Sequence, residues 1–386
     1  MLTSSSRRIT IIIPSLNQMK VRKLEIHYVN RDQVFYAGQN IEGYISLVLK
    51  KTTPINRICL HIGGRGNCLQ FTQKINNRRE TYSAEVNYLS INLELIQPGQ
   101  ILNKGEVRLP FSALLPSSIP SSFEGSDGFI RYYCQVTVST PEDSDATEGR
   151  NFTVIHNVDL NSIPNAKVPI VAKQTDIIPG ICCTSPGLYK VNFQLEKTGF
   201  VPGEQIQFKL DVDNRTSLRS EWITLTLRQI IKYKCFLNGR VTVAENTQTQ
   251  TKTNYIELYN KRIIIPARQK KHLEQSARLP SLPPSKLPGC DIIDISYNIV
   301  LKISIQIEEM IIERQILVGT IPVRDDACSS TTQHTSTPDT APPSYEECVT
   351  KAFSKGMKAN QSTWRPSYPY YGGESTVATL PGGNWV

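Results

Sequence analysis

Pro342-Pro343-Ser344-Tyr345 is the stretch whose residue types and spacing carry recognition chemistry. Two adjacent prolines hold φ near −65° and favour a left-handed polyproline II helix. That shape has little entropy left to lose, so it docks cheaply into an aromatic-lined groove. Tyr345 adds a rigid amphipathic anchor whose hydroxyl stays solvated. WW domains bind Pro-Pro-x-Tyr segments of this kind. The competing reading is a chance proline pair in a linker, because the chain holds 24 prolines. Glu346-Glu347 follow and supply charge attraction to a basic rim, or simply a solvated acidic pair.

Other chemistries find no constellation. Nine cysteines are scattered, with no Cys-x-x-Cys pair and no Cys/His spacing suited to zinc. His27, His61 and His156 fall in strand patterns and read as structural. Gly63-Gly64-Arg65-Gly66 lacks the Lys-Ser/Thr of a phosphate loop and no helical pattern follows it, so a glycine turn or bulge is expected. No Ser/His/Asp set assembles. The chain therefore reads as a non-enzyme with no catalytic residue, no metal and no cofactor. Lys261, Arg262, Arg268, Lys270 and Lys271 are candidate anion contacts, for a lipid surface or a phosphorylated tail, with a solvated loop as the alternative. Nucleic acid is not an expected partner, since the basic residues are dispersed and no recognition helix is present.

The elements that must carry these residues are β-strands. At 386 residues and 39% hydrophobic, the chain is long enough for two or three domains. The net charge is +9, and residues 325–386 hold four basic against six acidic residues, so the body is the basic part. The cysteine scatter fits reduced thiols in the cytosol, and no apolar run reaches the ~18 residues of a membrane span. Ile41, Gly43, Ile45, Leu47 and Leu49 alternate with Glu42, Tyr44, Ser46 and Lys50, the period of a half-buried strand. Tyr132, Cys134, Val136 and Val138 repeat the pattern after a proline-rich run.

The chain then starts again. Phe200-Val-Pro-Gly203-Glu-Gln-Ile206 echoes Phe35-Tyr-Ala-Gly38-Gln-Asn-Ile41. Leu279–Pro288 echoes Leu115–Pro120 and leads into a second tyrosine strand at Tyr297. Gly38 to Tyr132 and Gly203 to Tyr297 both span 94 residues. A repeated internal order of this size predicts two tandem antiparallel, immunoglobulin-like β-sandwiches. The expected divisions are an extension over 1–18, a first domain over 19–165, a linker over 166–186, a second domain over 187–323 and a tail over 324–386. The tail is too polar to bury a core and is expected to be disordered. Whether Met1 or Met19 begins translation stays open.

In this order these residues resemble the arrestin-domain-containing proteins, or α-arrestins. The resemblance rests on Tyr36 to Ile41, Pro98-Gly99, Leu109-Pro110-Phe111, Leu115–Gly125, Ile130-Arg131-Tyr132, Val158–Asn161 and Phe200–Glu204, and covers about residues 20–323. A Pro-Pro-x-Tyr motif in the tail is the mark of that class within the arrestins. The resemblance implies an arrestin fold and a cytoplasmic adaptor recruited to plasma membrane and endosomes. Its body would engage membrane receptors or transporters, and Pro342, Pro343 and Tyr345 would recruit the WW domains of a HECT-type ubiquitin ligase, so that cargo is ubiquitinated and endocytosed. A flexible tether raises the effective concentration of the enzyme near its substrate. A sorting scaffold that needs no ligase is the alternative. Family members commonly carry two such motifs. Here the second candidate is Arg365-Pro366-Ser367-Tyr368, whose arginine replaces the first proline, so weak or no WW binding is expected there. Cys182-Cys183 admit two readings, lipid attachment or oxidation, and ordinary thiols.

Overall fold

The computed structural model describes residues 20–75, 78–141, 143–180, 185–237, 239, 247–306, 308–324 and 364–371. Among the described residues the regular structure is β-strand, apart from two 3₁₀ turns at Leu160–Ser162 and Pro164–Lys167. The period-two stretches are the strands. In Asn40–Leu49 the residues Ile41, Gly43, Ile45, Leu47 and Leu49 are buried, and in Gly128–Ser139 every second residue from Gly128 to Val138 is.

Each half is a sandwich. In the first, a three-stranded sheet, Val21–Tyr28, Asn40–Leu49 and Gly105–Leu114, packs on strands Arg57–Ile75, Arg78–Ile96, Gly128–Ser139 and Ala146–Ile155. In the second, a four-stranded sheet, Ile170–Ile178, Gly187–Leu195, Gln205–Asn214 and Lys270–Arg278, packs on Ser220–Leu237, Thr247–Ile265, Ile293–Ile305 and Glu308–Val318. The halves share one sheet. Ser220–Leu237 pairs antiparallel with Arg78–Ile96 through Phe236 opposite Ser83 and Leu237 opposite Tyr82.

The duplication is visible bond by bond. Gly38 (φ 87) and Gly203 (φ 89) make the same left-handed turn, which favours glycine. Their N–H groups donate to Leu115 O at 3.1 Å and Leu279 O at 2.7 Å. Tyr132 donates its hydroxyl to Pro120 O at 2.7 Å, and Tyr297 to Pro283 O at 2.8 Å. In each half a short strand joins the last strand in parallel, Val34–Tyr36 on Ala146–Ile155 and Gly199–Phe200 on Glu308–Val318. The proline-rich runs thus do the same job twice. They offer carbonyls to buried phenols where no ladder can form.

Two expectations are corrected. The expected linker 166–186 contains Ile170–Ile178, which pairs along its whole length with Gly187–Leu195 as an edge strand. Its sequence hides this because polar Gln174 and Asp176 fall where inward apolar residues would alternate. Within the tail, residues 364–371 pack against the body, and Tyr368 is 6% exposed. Only the aromatic and proline content of that stretch distinguishes it from its polar surroundings.

Gly63-Gly64-Arg65-Gly66 lies inside the strand Arg57–Ile75, with a register shift between Gly64 and Arg65, a bulge. A Cβ on Gly64 would sit 2.4 Å from the Tyr132 ring, and one on Gly66 2.6 Å from Tyr88. The glycines make room for the tyrosines. Gly64→Ala is expected to destabilise the chain by about 1–3 kcal/mol through overpacking. Gly149→Ala, whose nearest atom would be 3.9 Å away, should stay within about 0.5 kcal/mol of wild type. Urea denaturation of the two variants checks this; equal midpoints would remove the packing explanation.

Candidate functional site

Pro342, Pro343 and Tyr345 lie outside the described residues, as do Cys182, Cys183 and Cys348. The body's own candidate surfaces are the outer face of the four-stranded sheet and the junction of the two sandwiches.

The outer sheet face is built by register. Opposed positions carry Lys173, Asn192, Asp211 and His272 in one row, and Thr175, Lys190, Asp213 and Lys270 in the next. Side chains two apart on a strand share a face, and neighbouring strands lie about 5 Å apart, so three lysines and a histidine gather over the twisted sheet. They line a shallow concavity of about 410 Å³ together with Lys271. Asp211 and Asp213 temper it. Asp211 bonds His272 Nδ1 at 2.6 Å and accepts from Asn192 at 3.2 Å, and Asp213 pairs with Arg215 at 2.8 Å. The hydrogen bond to Asp211 raises the His272 pKa above its ordinary value and lowers that of Asp211.

The five basic residues singled out in the sequence are therefore divided. Lys270 and Lys271 line the concavity, where Lys173, Lys190 and His272 join them. Arg268 occupies the preceding turn with φ 58. Lys261 and Arg262 do not line it. Lys261 sits 5.6 Å from the Tyr259 ring centroid, and Arg262 is 3.4 Å from Glu221. Lys173 and Lys190 were not legible as members, because their strands, Ile170–Ile178 and Gly187–Leu195, lie far in sequence from the strand that begins at Lys270.

The histidines of the first sandwich have structural partners. His27 stacks on Tyr44, His61 bonds Asn92 at 2.8 Å, and His156 bonds Ile119 O at 3.0 Å. Among the described residues no group of three or more His, Cys, Asp or Glu is placed to hold a metal, and no helix is long and apolar enough to cross a membrane. The described cysteines Cys59, Cys68, Cys134, Cys235 and Cys290 are free thiols. Cys68 is pushed up by its hydrogen bond with Cys235 and by burial, and donates to Ile292 O across the junction at 3.4 Å. Burial pushes Cys134 up to about 12.

At the junction, Val158–Asn161 of the first half meets the end of the second. Asp159 forms a parallel bridge with Ile321, Asn161 donates to Pro322 O at 2.8 Å, and Arg324 N donates to Asn161 Oδ1 at 2.8 Å. On the first half, the buried Glu124 carboxylate is gripped by Arg131, with one bond at 2.8 Å, while Arg131 covers the Phe129 ring at 3.9 Å. Neither residue of this pair was singled out from sequence as charged partners, although both lie in the quoted Phe-Glu-Gly and Ile-Arg-Tyr runs. The residues 364–371 cross here. Tyr368 donates to Ser122 O at 3.1 Å, and Tyr371 donates to Thr320 O at 2.6 Å.

Two tandem sandwiches joined through one sheet and a bridged domain end define an arrestin-fold body. Residues 24–161 match the family described as arrestin (or S-antigen), N-terminal domain, and residues 185–323 match arrestin (or S-antigen), C-terminal domain. The chain belongs to the arrestin-domain-containing, or α-arrestin, family. It is similar to arrestin domain-containing protein 17 of Caenorhabditis elegans, 28% identical over 79% of this chain and 72% of the relative. It is 27% identical to arrestin domain-containing protein 1 of Mus musculus, over 85% of this chain and 72% of that one. Thioredoxin-interacting protein of Homo sapiens is 23% identical over 86% and 85%. The family's members are non-enzymatic scaffolds and adaptors, and this chain is an arrestin-fold adaptor or scaffold in that general sense.

The His272–Asp211 bond has a pH consequence. A raised histidine pKa favours the protonated ring, so its contribution is complete below the ordinary value near 6.5 and is lost as pH rises through the raised one. Asp211→Asn should bring the His272 midpoint back down, read by NMR titration of the ring protons. An unchanged midpoint would detach the shift from Asp211.

Proposed function

We propose that the chain links membrane cargo, receptors or transporters, to a HECT-type ubiquitin ligase whose WW domains bind Pro342, Pro343 and Tyr345. The observation that carries this reading is the combination of an arrestin-fold body with a Pro-Pro-x-Tyr segment beginning 18 positions beyond Arg324, the last described residue of that body. The polyproline shape limits the ordering cost of capture, and tethering then keeps the ligase near whatever the body holds. No catalytic residue of the adaptor is required. The work belongs in the cytoplasm at plasma membrane and endosomes, where the basic sheet face with Lys173, Lys190 and Lys270 suits anionic headgroups or a phosphorylated cargo tail. Basic groups close to such a surface contribute about 1 kcal/mol each.

The test is titration of a peptide spanning residues 335–352 against WW domains of HECT ligases. Tyr345→Ala should weaken binding at least tenfold, and the same substitution in the full chain should abolish ligase capture without changing its thermal unfolding. Unaltered capture would reject the assigned residues and favour a sorting scaffold that works without a ligase.

A further inference from the structure

The stretch Trp364–Tyr371 makes contacts of a kind that a polar tail does not make by chance. Pro366 and Tyr368 are buried while Ser367 between them is exposed, an alternation that turns one side of the segment to the body. Tyr368 belongs to the main apolar core, and Tyr371 packs on the small cluster of Leu160, Ala166 and Val201.

The polar partners come from both sandwiches. On the first, Ser367 N donates to Thr153 Oγ1 at 3.2 Å, Tyr368 donates to Ser122 O at 3.1 Å, and Arg365 approaches Glu124 at 3.7 Å. On the second, Tyr371 donates through its N–H to Pro202 O at 2.9 Å and through its hydroxyl to Thr320 O at 2.6 Å. Burial raises the Tyr371 pKa, so the phenol stays a donor. The receiving groups form a site of consistent chemistry. They are carbonyl and hydroxyl acceptors at the ends of strands, one buried carboxylate at the rim and an apolar floor. Ser122 uses its N–H and hydroxyl on Val154 and turns its carbonyl to Tyr368.

We propose that this junction groove is a peptide-binding site for an unphosphorylated Pro-x-Tyr-Pro-x-Tyr sequence, and that its resident ligand is the chain's own segment Arg365–Tyr371. Each hydroxyl that enters must donate, because the atoms facing it accept. A phosphate on the first tyrosine removes that donor, sets nearly two negative charges against the Ser122 carbonyl, and must fit where the tyrosine is already buried. While docked, Tyr368 is withdrawn from every outside partner. Covalent attachment keeps the segment at an effective concentration on the order of mM, so modest intrinsic affinity suffices. The site holds the two sandwiches through one ligand, so a foreign peptide of the same chemistry competes with the tail.

The experiment uses the full chain and its Tyr368→Ala/Tyr371→Ala double variant, which disables the resident ligand and leaves the groove untouched. A fluorescent synthetic peptide of residues 362–373 should bind the double variant at least tenfold more tightly than wild type. The same peptide carrying phosphotyrosine or alanine at position 368 should lose at least tenfold on the double variant. Hydrogen exchange adds a reading that needs no variant to fold. The Ser367 and Tyr371 amides of the wild-type chain should exchange at least tenfold more slowly than in an unstructured peptide. Unprotected amides, absence of binding to the double variant, or equal binding of the tyrosine, phosphotyrosine and alanine peptides would overturn the proposal.

Discussion

A buried phenol must donate its proton, and much of this fold answers that demand. Tyr132 and Tyr297 are fully buried, and each reaches a proline carbonyl in the run that crosses its own sandwich. Tyr189 reaches Ser220 at 2.8 Å. Leaving such a group unpaired costs about 1–3 kcal/mol, a large share of the stability of any domain. Proline-rich segments are suited to the task, because their carbonyls are not all engaged in a ladder. The same logic places the tail: Tyr368 and Tyr371 also donate to carbonyls at strand ends. One interaction type closes each sandwich and fastens the segment that lies over their junction.

The bulky phenols then require space, which explains the glycines. The run at Gly63–Gly66 passes beside Tyr132, Tyr133 and Tyr88, each within about 3 Å of where a Cβ would stand. Gly125 and Gly128 give the same clearance to Tyr233 of the second sandwich. Small residues on one strand and aromatic ones on its neighbour are a single packing device. It operates within the first sandwich and again between the two.

Most of the body could be read from sequence because both signals were local. Period-two alternation marks Ile41–Leu49 and Tyr132–Val138, and the two glycine-to-tyrosine spacings expose the duplication. What escaped reading depends on distant partners. Ile170–Ile178 is an edge strand with a broken apolar pattern, recognisable only once Gly187–Leu195 lies beside it. The basic sheet face draws Lys173, Lys190 and Lys270 from three strands, and no linear pattern joins them. Arg365–Tyr368 resembles a defective copy of Pro342–Tyr345, and sequence alone does not reveal that its tyrosine has a buried place in the body.

Docking at residues 364–371 ties the chain to the body on both sides of residues 325–363, which closes a covalent loop. Arg324 is pinned to Asn161 at one end, and Tyr368 is pinned to Ser122 at the other. Pro342–Tyr345 falls near the middle, 18 positions beyond Arg324 and 19 before Trp364. With at most about 3.6 Å per residue, neither arm of that loop extends much beyond about 65 Å. Anything bound at the midpoint is confined to the overlap of two spheres centred on the body. Release of the far end removes one sphere and leaves a single tether, so the same tetrapeptide gains volume without any change in its own sequence. Docking of one tyrosine thereby sets the geometric reach of another, more than twenty residues away.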